Sequence, residues 1–580
     1  MKYVLGYLKP YLNKIYLGLT VKSGATIVEL FLPFLLAHVI DNVIPLANVG
    51  FVIVYGLLML ATAFGAYIGN IIANRIAARV STDAIKDLRD ASYTKILSFS
   101  NKTVDHFTIP SLISRMTSDT YHVYRMFNVI QRIGIRAPIL LFGSLLMMLF
   151  IDTFLALILI GLLPFISMAV YFVSKRGIPY YDRLQKALDV MVRVVRENIA
   201  GIRIIKSLAK EDNEKDKYAA INQNVSYREK KAGLIVATLN PIMNLLLNLG
   251  LVVIMYVGAQ RVILGASQTG SILAFLSYFT LILNSFLALN RIFLLMSRAG
   301  ASASRITMIL ETDDHLELIE PSKSLSDYHI EFDQVNFSYN QKSYDLKNIS
   351  FKIKHNTSFG IIGATGSGKT TIAQLLMRMY EIDQGSILIN GQDIRSMDEQ
   401  TLRKRFGVVF QNDALFSFSV FDNIAFGRHI DYESVVEAAH FAQANDFIEQ
   451  LSHQYDEKVL RQGANFSGGQ KQRMLIARAL AQHPEIIILD DASSALDYQT
   501  DAKLRQAIKN SFHATAIMIT QRVSSVMHAD QILVLDHGEM VGLGTHSQLA
   551  KTCAPYQELM ALQLGGDDYD YSTRTSESHG

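Results

Sequence analysis

The stretch Gly363-Ala-Thr-Gly-Ser-Gly-Lys369-Thr370-Thr371 sets glycines, a lysine and threonines at the spacing of a phosphate-wrapping loop. Glycines let successive backbone N–H groups close around a β-phosphate, a lysine reaches the β- and γ-oxygens, and the threonine hydroxyl after it can ligate Mg²⁺. Gly363, Ala364, Thr365, Gly366, Ser367, Gly368, Lys369, Thr370 and Thr371 are therefore the candidate phosphate-binding residues. A second group belongs to the same chemistry: the apolar run Ile486-Ile-Ile-Leu489 ends in Asp490, a carboxylate expected on the Mg²⁺ side. Thr370 and Asp490 are the candidate metal-side residues of this chain's own loop.

Such a loop works only between a strand and a helix, and the flanking sequence offers both. Phe359-Gly-Ile-Ile reads as a buried strand and Ile372–Met379 as the helix that follows. From Ile330 onward short β-type runs alternate with helical ones, so 330–564 is expected to be an α/β domain. Ser297 to Asp327 loses hydrophobicity and gains Asp, Glu and Ser, which marks 299–329 as a linker. The acidic, Ser-rich end, 565–580, is expected to be disordered. Cys553 is the only cysteine, which excludes an intrachain disulfide, a thiolate zinc site and an iron–sulfur cluster. A net charge of +3 gathered in particular loops gives no basis for a nucleic-acid partner.

The first half has a different texture. Of the 580 residues half are hydrophobic and only 18% charged, and the apolar ones collect before about residue 300. Stretches Ile15–Ile40, Phe51–Asn74, Ala137–Ile151, Thr153–Ser174, Ala232–Gln260 and Val262–Asn290 approach or exceed the ~20 residues that span a bilayer. The third extends back through Gly134 and Ile135. Residues 1–298 are thus expected to form a polytopic helical membrane domain of six helices. Met1 to Lys14 lacks a small-residue cleavage pattern, so no removable signal peptide is expected. The segments Arg75–Arg136 and Lys175–Lys231 are crowded with Lys and Arg, whereas Asp41–Gly50 and the Asp152 turn have none. Positive loops stay inside, which predicts cytoplasmic termini, short outer turns and two long cytoplasmic loops. At about 1.5 Å per residue each half of such a loop can carry a helix some 40 Å beyond the bilayer. The polar turns Ser111–Asp119 and Ser207–Asp216 are the expected contact points with the soluble domain. Inside the first helix Lys22 and Glu29 lie seven residues apart on one face. A mid-helix carboxylate costs roughly 2.5–3.5 kcal/mol to insert. Glu29 is accordingly either paired to a polar group such as Asn240, Asn244 or Asn248, or a substrate residue that attracts a cation.

Between the glycine loop and Asp490 lies Phe466-Ser-Gly-Gly-Gln470, and with it the chain resembles the half-size exporters of the ATP-binding cassette family over its whole length. The resemblance implies two chains sandwiching two ATP molecules, each between one chain's P-loop and the other's signature. Tyr339, in Val-Asn-Phe-Ser-Tyr, matches the aromatic that stacks on adenine. Gln411, in Val-Phe-Gln-Asn, matches the glutamine that touches Mg²⁺ and takes part in catalysis. Ser467, Gly468, Gly469 and Gln470 match the signature that caps the opposite γ-phosphate, and Ser494-Ala-Leu-Asp497 the loop joining the two sites.

Two catalytic positions depart from the pattern. Asp491 stands where most members carry Glu, and Gln521, in Ile-Thr-Gln-Arg, where the family has His. The Glu polarises the attacking water. Asp is one methylene shorter, and an error of about 1 Å in placing a catalytic group can cost ~10²-fold. Gln keeps hydrogen bonding but brings no imidazolium charge. The combination resembles one chain of the bacterial heterodimeric multidrug exporters, whose partner supplies the missing Glu and His. It implies a multi-pass protein of the bacterial cytoplasmic membrane, surrounded by membrane lipid and exporting amphipathic compounds across it with ATP and Mg²⁺. A lipid or peptide translocator and a nucleotide-gated channel are the alternatives.

Overall fold

In a computed structural model, residues 1–314, 318–320 and 326–564 are described. The tail 565–580 and parts of 299–329 lie outside them. Two compact units emerge, one of Met1–Leu97 with Ile109–Thr312, the other of Ser98–Thr108 with the chain from Asp313 onward.

Among the described residues of the membrane unit, six helices carry the apolar stretches: α1 Leu12–His38, α2 Val49–Leu97, α3 Arg136–Ile151, α4 Thr153–Ala200, α5 Leu239–Ile263 and α6 Thr269–Glu311. Among the described residues five helical stretches are long and apolar enough to cross a membrane, and a shorter apolar helix, Thr153–Leu162, opens α4. Leu30, Leu140, Met148, Leu155, Phe275 and Phe279 form the core between them. Large apolar side chains such as Phe51, Val54, Leu57 and Phe64 stay exposed on α2, as a surface that meets lipid or another apolar face requires.

Two of the expected boundaries move. The break between the last two helices falls not at Arg261 but at Gly265, whose φ of +68° suits glycine. There the N–H of Ala266 donates to the Arg261 carbonyl at 2.8 Å, closing α5. The linker expected from 299 is helical as far as Glu311, because Ala299, Ala303 and Ile306 are buried at helical spacing. Two aspartates fasten this bundle end. Asp41 accepts from the N–H groups of Gly270 (2.6 Å) and Ser271 (3.1 Å), and so caps α6 from a distant turn. Asp152 accepts from Phe154 and Leu155 at the start of α4 and pairs with Arg261 Nε at 3.2 Å.

The inner loops are helical, but the first reverses earlier than expected. Ser98–Thr108 belongs to the soluble unit, whereas Ser111–Asp119 remains with the membrane unit, where Asp119 is buried and paired with Arg305. Ser100 caps the helix Asn101–Phe107 and its hydroxyl donates to Asp314 at 2.9 Å. The second loop turns through Ile202–Ser207 into Glu211–Ala237, which packs Val225 and Ala232 with Leu184 and Ala187 of α4.

In the soluble unit ten strands are described: β1 Tyr328–Phe337, β2 Leu346–Lys354, β3 Ser358–Gly363, β4 Gln384–Ile389, β5 Gln392–Asp393, β6 Phe406–Val409, β7 Ile486–Asp490, β8 Thr515–Thr520, β9 Gln531–Asp536 and β10 Glu539–Gly544. One sheet runs β2-β1-β4-β5 and is antiparallel. The other runs β10-β9-β3-β8-β7-β6, parallel except for β10. The registers Ile361 with Ile519 and Ile488 with Ile517 align the C-terminal ends of β3, β8 and β7, where α/β ligand sites form.

The two sheets are tied by His329 of β1, whose Nδ1 lies 2.7 Å from the Thr515 hydroxyl and whose ring stacks on His355 at 4.4 Å. Burial first, then the electrostatic influence of His355 and Arg405, pushes its pKa down to about 4. The unfolded chain takes up this proton near pH 6.5, the folded one only near 4. The stability held by neutral His329 is thus fully present above about pH 6.5 and falls as pH drops toward 4, by up to ~3 kcal/mol. Thermal unfolding of the full chain should lose Tm between pH 6.5 and 5, and His329→Gln should flatten that slope; an unchanged slope would contradict the assignment.

Candidate functional site

The glycine loop leaves β3 and enters α7, Lys369–Leu376. Gly366 (φ +82°) and Gly368 (φ +97°) occupy the left-handed region, and a Cβ on Gly363 would sit 2.2 Å from the Leu535 carbonyl. Nothing lies within 4 Å of a Cβ built on Gly366, so the loop's inner face opens onto free space. The Ser367 hydroxyl is buried with no hydrogen-bond partner among the described residues, as expected where a ligand oxygen supplies it. Lys369 Nζ donates to the carbonyls of Gly363 (2.9 Å) and Ala364 (2.7 Å), which folds it back over the loop.

Thr370 donates its hydroxyl to Asp490 Oδ2 at 2.7 Å, although β7 is not the immediate neighbour of β3: β8 lies between them, and α7 bridges the gap. Asp490 is only 2% exposed, and burial raises its pKa, with Asp491 adding to the rise and Thr370 and Lys369 opposing it. Burial likewise lowers the Lys369 pKa against the pull of Asp490 and Asp491. A hydroxyl, a buried carboxylate and the amide oxygen of Gln411, which shares this cavity, form the hard oxygen set that Mg²⁺ takes.

These groups converge. A cavity of about 290 Å³ is lined by Tyr339, Lys369, Gln411, Asp490, Asp491 and Gln521, together with Thr365, Gly366, Gly368, Thr370 and Thr371. Tyr339 donates its hydroxyl to Gln374 at 2.6 Å and sets its ring edge-on to Tyr380, with centroids 5.1 Å apart. Asp491 sits in the left-handed region (φ +51°), held by an N–H bond of 2.8 Å to the Ile519 carbonyl, and burial raises its pKa. The Gln521 amide oxygen accepts from the Thr365 hydroxyl at 3.3 Å.

Ser467, Gly468, Gly469 and Gln470 do not line that cavity. They open the helix α8, Gly468–Leu480, with Ser467 and Gln470 forming a reciprocal cap: Ser467 N–H to Gln470 Oε1 at 2.9 Å and Gln470 N–H to Ser467 Oγ at 3.3 Å. Ser467 and Gly468 are exposed, and Gly469 lies against Ala495 so closely that a Cβ would be 3.2 Å from its carbonyl. A helix N-terminus presented in this way suits an anion that another molecule brings.

Residues 15–286 match the family model for the ABC transporter transmembrane region, and 346–494 the model for ABC transporters. The uncharacterized ABC transporter ATP-binding protein YfiB of Bacillus subtilis is 34% identical over 97% of this chain and 99% of its own length. The chain belongs to the ABC transporter family. Another such protein, Rv1273c of Mycobacterium tuberculosis, is 31% identical over 96% of this chain and 97% of its own length. The ATP-dependent lipid A-core flippase of Pasteurella multocida is 27% identical over 96% and 97% respectively. A bacterial Atm1-family ABC exporter with ATP bound shares the fold, with a TM-score of 0.79 at 24% identity, covering 96% of this chain and 98% of that one. This ABC transporter joins one transmembrane region to one ATP-hydrolysing domain, and the 290 Å³ cavity lies in the second.

In this transporter Glu29 is no isolated carboxylate. Arg136 at the start of α3 donates to it from Nη2 at 2.7 Å and from Nε at 3.4 Å, a partner that the charge pattern places at the end of a basic inner loop. The Asn244 and Asn248 alternatives lie on α5; Asn248 donates to the Asn244 carbonyl at 2.9 Å. Sequence reasoning passed over Asp345, which lines the 290 Å³ cavity and accepts the Tyr339 N–H at 2.8 Å, because it stands in a hairpin without a motif. It also passed over Tyr380, whose hydroxyl donates to Asp105 at 2.6 Å and so joins Ser98–Thr108 to the aromatic pair at the site.

Gly366→Ala would force a Cβ into the left-handed region at a cost of roughly 1–2 kcal/mol. It should weaken nucleotide binding at least ~10-fold with little change in the far-UV spectrum. Unaltered binding in an equilibrium titration would contradict the placement of the phosphates over this loop.

Proposed function

We propose that this chain is one subunit of a heterodimeric ABC exporter of amphipathic compounds, drugs among them, and that its own P-loop forms the hydrolytically weak ATP site. The observation that carries the reading is the pairing of Asp491 and Gln521 on the wall of one cavity whose other binding groups are complete. ATP binds there with its phosphates on residues 363–371 and its adenine on Tyr339. Mg²⁺ is held by Thr370 and Gln411, with Asp490 behind them. Binding and closure persist, while activation of the attacking water is lost to a carboxylate one methylene short and to an amide without charge. The exposed signature, Ser467 to Gln470, caps the γ-phosphate on the partner's P-loop, which carries the Glu and His. The chain lies in a bacterial cytoplasmic membrane with both termini inside, as the basic inner loops favour. Glu29 belongs to the substrate path.

A lipid translocator is the second reading, favoured by the 27% identity to a lipid A-core flippase. It changes the cargo and leaves the two ATP sites as described.

Two experiments test the proposal. The purified chain alone should bind ATP yet turn it over slowly, and joint Asp491→Glu and Gln521→His substitution should raise that turnover at least ~10-fold. Fast turnover by the wild-type chain alone would sink the heterodimer. In the assembled transporter Lys369→Ala should reduce ATPase activity by about 10-fold and Ser467→Arg by more than ~100-fold, because only the second change blocks closure over the competent site. The reverse order would assign the weak site to the partner.

A further inference from the structure

A cavity of about 360 Å³ lies in the membrane unit among α1, α2 and the start of α3. Its polar wall is Lys22, Glu29, Asn70, Asn74 and Arg136, and Tyr67 with Leu32 and Ala63 makes the apolar part. Charges at membrane depth face a cavity or a partner, and here they have both. Lys22 is only 4% exposed and donates to Asn70 Oδ1 at 2.7 Å and to Asn74 Oδ1 at 3.1 Å, one turn apart on α2. Asn70 is itself oriented, its amide N–H₂ donating to the Ala66 carbonyl at 2.9 Å, so that its oxygen points at the ammonium. Glu29 is taken by Arg136 through two contacts, 2.7 and 3.4 Å.

The charges therefore do not cancel. One cation meets a carboxylate and the other is held by neutral amides, which orient an ammonium without neutralising it. The lining carries two cations against one carboxylate. A cationic guest would find the lining's one described carboxylate already engaged by Arg136, and would have to be desolvated beside Lys22. An anionic guest is attracted by the uncancelled charge of Lys22 in the cavity wall, and the Arg136 side chain, 40% exposed, presents donors to it.

We infer that this cavity receives the anionic head of an amphipathic compound, a carboxylate or phosphate ester, with Lys22 as the selecting charge, Glu29 as the group that orients Arg136, and Tyr67 and Leu32 against the apolar portion. The inference rests on the reading of the chain as an exporter of amphipathic compounds, and it reverses the charge that Glu29 alone suggests.

The test uses the full chain in phosphatidylcholine nanodiscs, with empty nanodiscs subtracted, and probes that share a dodecyl chain: dodecyl phosphate, dodecyltrimethylammonium and the neutral dodecyl maltoside. The phosphate should bind at least ~10-fold more tightly than the ammonium. Lys22→Gln should bring the two within about 3-fold of each other while leaving the maltoside unchanged, and Lys22→Arg should restore the preference. Equal binding of both charged probes by the wild-type chain, a measurement that needs no variant to fold, overturns the charge assignment alone. Failure of all three probes to bind overturns the amphipathic-cargo reading with it. Replacing phosphatidylcholine by phosphatidylglycerol separates the sources of the anion: loss of dodecyl phosphate binding marks a lipid headgroup as the resident ligand, and retention marks a free amphiphile.

Discussion

The 2.7 Å hydrogen bond from Thr370 to Asp490 links the start of α7 to the end of β7 across an intervening strand, and the geometry of the glycine-loop cavity depends on it. Asp490 is buried, and an unpaired carboxylate in that position would be costly, so the threonine hydroxyl that bonds it is needed there. Once the two ends are held together, the loop between Gly363 and Gly368 has little freedom. It must turn through left-handed φ values at Gly366 and Gly368, and Lys369 folds back over it. Gln411, Asp491 and Gln521 then reach the same cavity from the ends of β6, β7 and β8.

The same arithmetic of buried charge governs the membrane unit. Asp41 is satisfied by two N–H groups that open α6, Asp152 by two that open α4 and by Arg261, and Glu29 by Arg136. Each of these three carboxylates has a definite partner. Lys22 differs in having only amide partners among its described hydrogen bonds, and this difference separates a charge that serves cohesion from one left to act on a guest.

What the sequence made legible follows from the range over which each signal acts. The glycine loop, the strand before it and the run ending in Asp490 are local, and they appear in the structure where their residues suggest. Six apolar stretches announced the long helices, but not their ends. Arg261 reads as a break in hydropathy and is in fact the residue that closes α5 and pairs with Asp152. Glu311 ends a helix that composition would stop near 298, because burial of Ala299, Ala303 and Ile306 outweighs a falling hydrophobicity. Partners distant in sequence were invisible: Arg136 for Glu29 across 107 residues, and Tyr380 for Asp105 across 275. The strand order that inserts β8 between the loop and Asp490 likewise leaves no local trace.

The central claim is that this chain's P-loop holds ATP without cleaving it at a useful rate. It is tested most directly by loading the purified chain with radiolabelled ATP and Mg²⁺, removing free nucleotide, and quenching at intervals to identify what remains bound. The account predicts that the nucleotide is recovered as ATP long after an intact site of this family would have completed a turnover. Recovery as ADP within the first turnover time would contradict it.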